Sequence, residues 1–183
     1  MKTLTTIALF FTLAVPGCQK NDNPADASQL SFTTTGTFST GNVKVSPAYF
    51  TFDKKDTTAP TQTWDILLTN TLMTVDPSIP AIKYPVIQFN RSKSVSGTIV
   101  DGKDFDAIDP SAVSELKTDT NDTTLVIGTN CLNYESATHR LSPFPNRSFV
   151  VRTASNKLVK FRIVSYYNAD GVSGYITFDY AIK

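Results

Sequence analysis

Imidazole and sulfur side chains are scarce in this sequence, which holds one histidine, two cysteines and two methionines. The histidine, His139, sits in Thr138-His139-Arg140 and is the one imidazole able to serve as a base or a ligand near neutral pH. A triad built on it would need a nucleophile elbow, and no Gly-x-Ser-x-Gly occurs. Nor does the chain contain His-Glu-x-x-His, Cys-x-x-Cys or a phosphate-binding glycine loop. A zinc site of His and Cys lacks ligands in number. Carboxylates gather at Asp101, Asp104 and Asp106, with Asp109 nearby. Their spacing is not that of a calcium loop, so a solvated turn is expected there. A glycosidase could draw two carboxylates from distant parts of a chain, but nothing in the sequence pairs them. The expectation is a protein that is not an enzyme.

Cys18 stands in a different context. Met1-Lys2 is followed by the apolar stretch Ile7-Ala8-Leu9-Phe10-Phe11-Thr12-Leu13-Ala14-Val15, then Pro16-Gly17-Cys18. A charged start, a short apolar run and a small residue before the cut make a secretory signal. The run is too short to span a bilayer, which takes roughly 20 residues. A cysteine at that point is the residue through whose sulfur lipoprotein processing attaches a lipid. Residues 1–17 therefore read as a lipoprotein signal peptide and Cys18 as the acylated first residue of the mature chain. Gln19 to Ser28 holds no aromatic and no aliphatic larger than alanine, so it cannot bury enough surface to fold and residues 18–29 read as a flexible tether. The folded domain is expected over residues 30–183. The localisation that follows is exported and lipid-anchored, at the outer membrane or cell surface.

The chain has 17 basic and 16 acidic residues, and removal of the signal peptide takes away only Lys2. That balance offers no field for nucleic acid and no polybasic contact with a membrane. With Cys18 acylated, Cys131 has no partner for an intrachain disulfide and is expected as a small buried hydrophobe.

The body must be built from strands. Val43 and Val45 alternate with Lys44, and Phe50 and Phe52 with Thr51 and Asp53. Trp64 to Leu68, Tyr84 to Phe89, with Pro85 marking a strand start or an edge, and Thr124 to Gly128 are further short strand signals. Phe149 to Thr153 is another. In the C-terminal third, Val159, Phe161 and Ile163 share one face, with Lys160 and Arg162 opposite. Ile176, Phe178, Tyr180 and Ile182 share a face of the last strand. Turn residues Asn168-Ala169-Asp170-Gly171 between them predict an antiparallel hairpin with a loop of about five to eight residues. Asp109 to Leu116 could form one or two helical turns. The fold class expected is all-β, antiparallel, as two packed sheets with few short helices.

These strand residues resemble the HmuY-like haem-binding lipoproteins of Bacteroidetes. Three stretches carry the likeness. They are Tyr49-Phe50-Thr51-Phe52 with Trp64-Asp65-Ile66; Phe105-Asp106-Ala107-Ile108; and Asn146 to Ala154 leading into Lys157 to Phe161, Ser165-Tyr166-Tyr167 and Gly174 to Tyr180. The resemblance implies a largely β protein without enzymatic activity. It would hold haem between two axial side chains, two histidines in the prototype and two methionines in some relatives, and pass it to an outer-membrane haem receptor. The sequence departs from that pattern in having His139 alone, while Met73 lies in or just after the Trp64 strand, away from a family ligand position. Ser136 aligns nearest the second ligand position, and the stretch from Asp119 to Cys131 that should bring the first is shortened. Haem iron accepts several side chains, and one protein ligand suffices in some sites. The resemblance thus makes His139 the candidate axial ligand, alone or with Tyr134, and puts Tyr134, Ser136 and Phe144 in a candidate haem pocket. Leu141, Pro143, Phe144 and Pro145 could line an apolar cleft or cap a sheet edge. The alternative is a surface module on the same fold that binds another ligand or a partner.

Overall fold

The structure is a computed structural model that describes Phe32, Val113 and residues 34–109 and 115–183. The processing site at Cys18, the tether and the expected domain start near Leu30 lie outside the described residues. The strands are β1 (Thr34–Asn42), β2 (Ala48–Thr51), β3 (Asp56–Thr58), β4 (Ile66–Met73), β5 (Ile82–Phe89), β6 (Ser96–Val100), β7 (Asn133–Glu135), β8 (Arg140–Ser142), β9 (Ser148–Arg152), β10 (Leu158–Tyr167) and β11 (Ser173–Ile182). They form a five-stranded sheet in the order β1-β11-β10-β9-β6, a four-stranded sheet in the order β3-β2-β4-β5, and the two-stranded hairpin β7-β8. All pairings are antiparallel. The fold is all-β, as the alternation predicts.

The two large sheets close on an aromatic core. Phe50 and Phe52 from β2 meet Phe161 of β10 and Phe178 of β11, with ring centroids 5.1 Å apart for Phe50 and Phe178 and 6.0 Å for Phe52 and Phe161. Each of these rings is fully buried, which stabilises the fold by about 1.5–3 kcal/mol per ring through area removed from water. The predicted inward face of the last strand is observed, with Ile176, Phe178, Tyr180 and Ile182 all buried. The β10–β11 loop is residues 168–172, closed by Asn168, whose Oδ1 accepts from the backbone N–H groups of Asp170 and Val172. Pro85 is tolerated because β5 is an edge strand.

Two expectations need correction. Val43 and Val45 are not in a strand: β1 ends at Asn42 and a turn follows, in which Val45 is 84% exposed. The N–H groups of Val45 and Ser46 both donate to the Asn42 carbonyl, so the local turn displaces the ladder. Thr124 to Gly128 is irregular apart from one bridge between Gly128 and Ile87, because the Asn121 side chain takes the N–H groups of Thr123 and Thr124 and Asp119 takes that of Val126. The expected helical turns between Asp109 and Leu116 fall largely outside the described residues; Asp109, Val113, Glu115 and Leu116, which are described, lie outside any helix. Strand β1, rich in Thr and Gly, was absent from the pattern because Phe38 is its one large apolar residue.

Two buried carboxylates tie irregular backbone to the sheets. Asp65, 1% exposed, accepts the Phe52 N–H at Oδ2 and the Ala154 N–H at Oδ1, each at 2.8 Å. It therefore joins the end of β2 to the turn between β9 and β10. Burial pushes its carboxyl above the ordinary carboxylate range, outweighing the lowering by the Ala154 and Phe52 N–H groups. Asp119, 4% exposed, accepts from Phe89 N–H at 2.6 Å and Val126 N–H at 2.7 Å. Lys160 faces away from the core as predicted, yet it is buried. Residues Phe105–Ile108 cover that face, and Nζ donates to the Phe105 and Ile108 carbonyls at 2.7 and 3.0 Å.

The strands give the molecule two ends. At one end lie Thr34, its partner Ile182, and the β9–β10 turn. At the other lie Asn42, the β10–β11 loop and Met73.

Candidate functional site

The hairpin β7–β8 carries His139 at that second end. Its turn is held by Glu135, whose carboxylate accepts from the Thr138 hydroxyl at 3.2 Å and the Ser142 hydroxyl at 2.6 Å. The hairpin is fastened to β10 through Tyr167. Leu141 N–H donates to the Tyr167 hydroxyl at 3.0 Å, and the Arg140 guanidinium lies 4.2 Å above the Tyr167 ring. Leu141 is buried in the core beneath. A short polar hairpin that would be marginal alone is thereby held in one place.

His139 closes the turn in the left-handed region at φ 51°, a conformation that non-glycine residues adopt sparingly. Its Nδ1 lies 2.7 Å from the Tyr134 hydroxyl. When Nδ1 carries the proton, it donates to the Tyr134 oxygen, and Nε2 then presents a lone pair outward. That is the arrangement by which a partner behind the ring orients a ligating imidazole. Asp76, in the loop after β4, is near enough to His139 for their charges to interact. The Asp76 carboxyl is held below its ordinary value mainly by the Ser78 hydroxyl and N–H, with His139 adding least. Partial burial, and then Asp76, hold the Tyr134 phenol above its ordinary value.

The structure thus brings His139 and Tyr134 together, and places Ser136 exposed at the tip of the same turn. Phe144 is elsewhere. Its ring lies 3.7 Å beneath the Arg147 guanidinium, and it lines a cavity of about 430 Å³ with Phe105, Arg162 and Ile163 that includes no residue of the hairpin. Met73, 38% exposed, ends β4 and heads the loop that brings Asp76 to His139. Cys131 is buried, with its thiol pushed up to about 12 by desolvation, so it is a core residue rather than a nucleophile. Asp101 pairs with Arg147 through two contacts of 2.6 and 2.9 Å. Among the described residues no group of three or more His, Cys, Asp or Glu could hold a metal ion. Sequence reasoning passed over Tyr167, which fastens the hairpin to β10, because it does not neighbour the hairpin in the chain.

The fold and hairpin define a class: a two-layer antiparallel β protein with a small accessory hairpin at one end. The structure is similar to that of a candidate lipoprotein from Bacteroides fragilis, with 17% identity, 80% of this chain and 88% of that one covered, and a TM-score of 0.53. It is also similar to the apo form of a Tannerella forsythia HmuY analogue, with 12% identity, 84% and 98% covered, and a TM-score of 0.54. Apo PinO from Porphyromonas gingivitis matches at 9% identity, 82% and 97% covered, with a TM-score of 0.52. No protein-family model and no curated protein matches the chain. Its fold is that of the HmuY-like proteins.

Proposed function

We propose that this chain is an exported lipoprotein, anchored through Cys18, whose folded body binds haem as a step in haem acquisition and hands it to an outer-membrane receptor. The observation that carries the reading is the Tyr134–His139 pair on a hairpin fastened to an HmuY-like fold. His139 would hold the iron through Nε2, with Tyr134 fixing the ring from behind. The residues present fit that one-sided contact; Phe144 stands in a separate cavity and contributes no wall to it. Bound haem supplies the iron that the imidazole meets, and the protein's part is to orient and release it, without enzymatic turnover.

The experiment is haem titration of the protein, oxidised and reduced. A shift of the Soret band is expected, lost or altered in His139→Ala and weakened in Tyr134→Phe. Absence of any spectral change in both redox states refutes the proposal. A Cys18→Ser variant should leave the membrane fraction, and its retention there would refute the anchor.

A further inference from the structure

The outer face of the four-stranded sheet carries a groove that has no part in the haem reading. Tyr49, Leu67 and Gln88 are cross-strand neighbours and form one row of its floor; Thr69 and Val86 form the next. Trp64 stands at one end, 5.3 Å from Tyr49 in an edge-to-face arrangement. The segment from Asp119 to Asn130 makes the wall and sets Leu125 over the floor. That wall is fastened to β5, because Asp119 accepts from the Phe89 N–H and Gly128 pairs with Ile87 in both directions, while Asp119 also ties the wall to itself at the Val126 N–H. Two adjoining cavities result, of about 310 and 460 Å³, which share Gln88, Asp122 and Leu125. Each volume falls in the range of small-ligand sites.

The lining has a particular chemistry. The Gln88 and Asn130 amides, the Thr69 and Thr71 hydroxyls and the Trp64 indole N–H have no hydrogen-bond partner among the described residues. Tyr49 and Trp64 offer half-buried ring surface beside them. The groove's cation, Arg91, is neutralised by Asp122 at 2.8 Å, and the Asp119 carboxylate is taken up by backbone. An anionic ligand such as a phosphate finds no free positive charge here. A purely apolar one would strand the amides and hydroxyls, at about 1–3 kcal/mol for each buried unpaired group. A neutral ligand with apolar C–H faces for the rings and a dense set of hydroxyls for the amides satisfies both halves of the lining.

We infer that this groove is a binding site for a short neutral oligosaccharide, with Trp64 and Tyr49 as the stacking platform and Gln88 as the central hydrogen-bonding residue. The site stands on the floor and wall of the sheet and does not depend on His139.

Trp64 is the sole tryptophan, so its emission reports directly. The protein is titrated separately with maltohexaose, cellohexaose, xylohexaose, mannohexaose and chitohexaose. A saturable emission change with at least one of them is expected. Gln88→Ala should weaken that binding about tenfold, equivalent to about 1.4 kcal/mol, without moving the thermal midpoint. His139→Ala should leave it unchanged, which separates failure here from failure of the haem reading. Absence of saturation with every sugar overturns the inference. Binding that survives both Gln88→Ala and Thr69→Ala overturns it too, since the sugar then sits elsewhere, as does competition between bound sugar and haem.

Discussion

Replacing Asp65 by alanine should unfasten the end of β2 from the β9–β10 turn. The carboxylate accepts one N–H from each, both at 2.8 Å. Truncation leaves two donors without an acceptor where water has little access, at about 1–3 kcal/mol each. The Phe52 site is buried and the Ala154 site only partly so, and the variant also escapes the cost of a buried carboxylate. The net loss is therefore about 2–4 kcal/mol, which for a domain of this size lowers the thermal midpoint by roughly 5–10 °C. Asp65→Asn, which keeps one acceptor oxygen, should lose about half as much. The pH dependence has a definite sign. Because burial raises the folded carboxyl above its unfolded value of about 3.9, the stabilisation from protonated Asp65 is complete below that unfolded value. It is lost as pH rises through the folded one. The gap between parent and Asp65→Ala should accordingly be widest in acid and narrow toward neutrality. Thermal melts by circular dichroism between pH 3 and 8 measure both effects. A midpoint for Asp65→Ala within about 2 °C of the parent, or a gap that widens with pH, would show that Asp65 does not clasp β2 to the turn.

Other outcomes follow from packing. Phe178→Ala, at the junction of the Phe38, Phe50, Phe52, Phe161 and Tyr180 rings, should cost about 3–5 kcal/mol in denaturant unfolding; under about 1 kcal/mol would contradict the core described. Gly97→Ala would press its Cβ to 2.5 Å from the Phe89 ring and 2.7 Å from the Val150 carbonyl, and should cost about 1–3 kcal/mol by the same measurement. Cys131, buried with its thiol pushed up to about 12, should resist iodoacetamide at pH 8 and react once denaturant is added, as mass spectrometry of the labelled chain would show.

The C-terminal hairpin was legible because its information is local. Ile176, Phe178, Tyr180 and Ile182 alternate on one face, and Asn168 to Gly171 supplies the turn between the strands. Lys160 was legible in direction and not in burial, since the Phe105 to Ile108 cover arrives from more than fifty residues away in sequence. The same limit hid Asp65 and Asp119. A lone aspartate beside a strand reads as a solvated end, and only the approach of distant N–H groups makes it a clasp. At the site, scarcity pointed to His139, and the ligand chemistry that the resemblance implies pointed to Tyr134. Phe144 was grouped with them as part of the apolar stretch Leu141 to Pro145 that could line a cleft. The chain turns away after β8, and Arg147, drawn to Asp101, carries Phe144 with it.

The two ends of the sheet also determine reach. The described β-structure begins at Thr34, opposite Ile182, and β1 runs its nine residues toward the end where His139 and Met73 lie. At about 3.3 Å per residue that is a rigid standoff of roughly 30 Å. If the lipid sits on Cys18, the chain enters β1 at the Thr34 pole. The hairpin then lies at the opposite pole, farthest along the sheet from that point of entry.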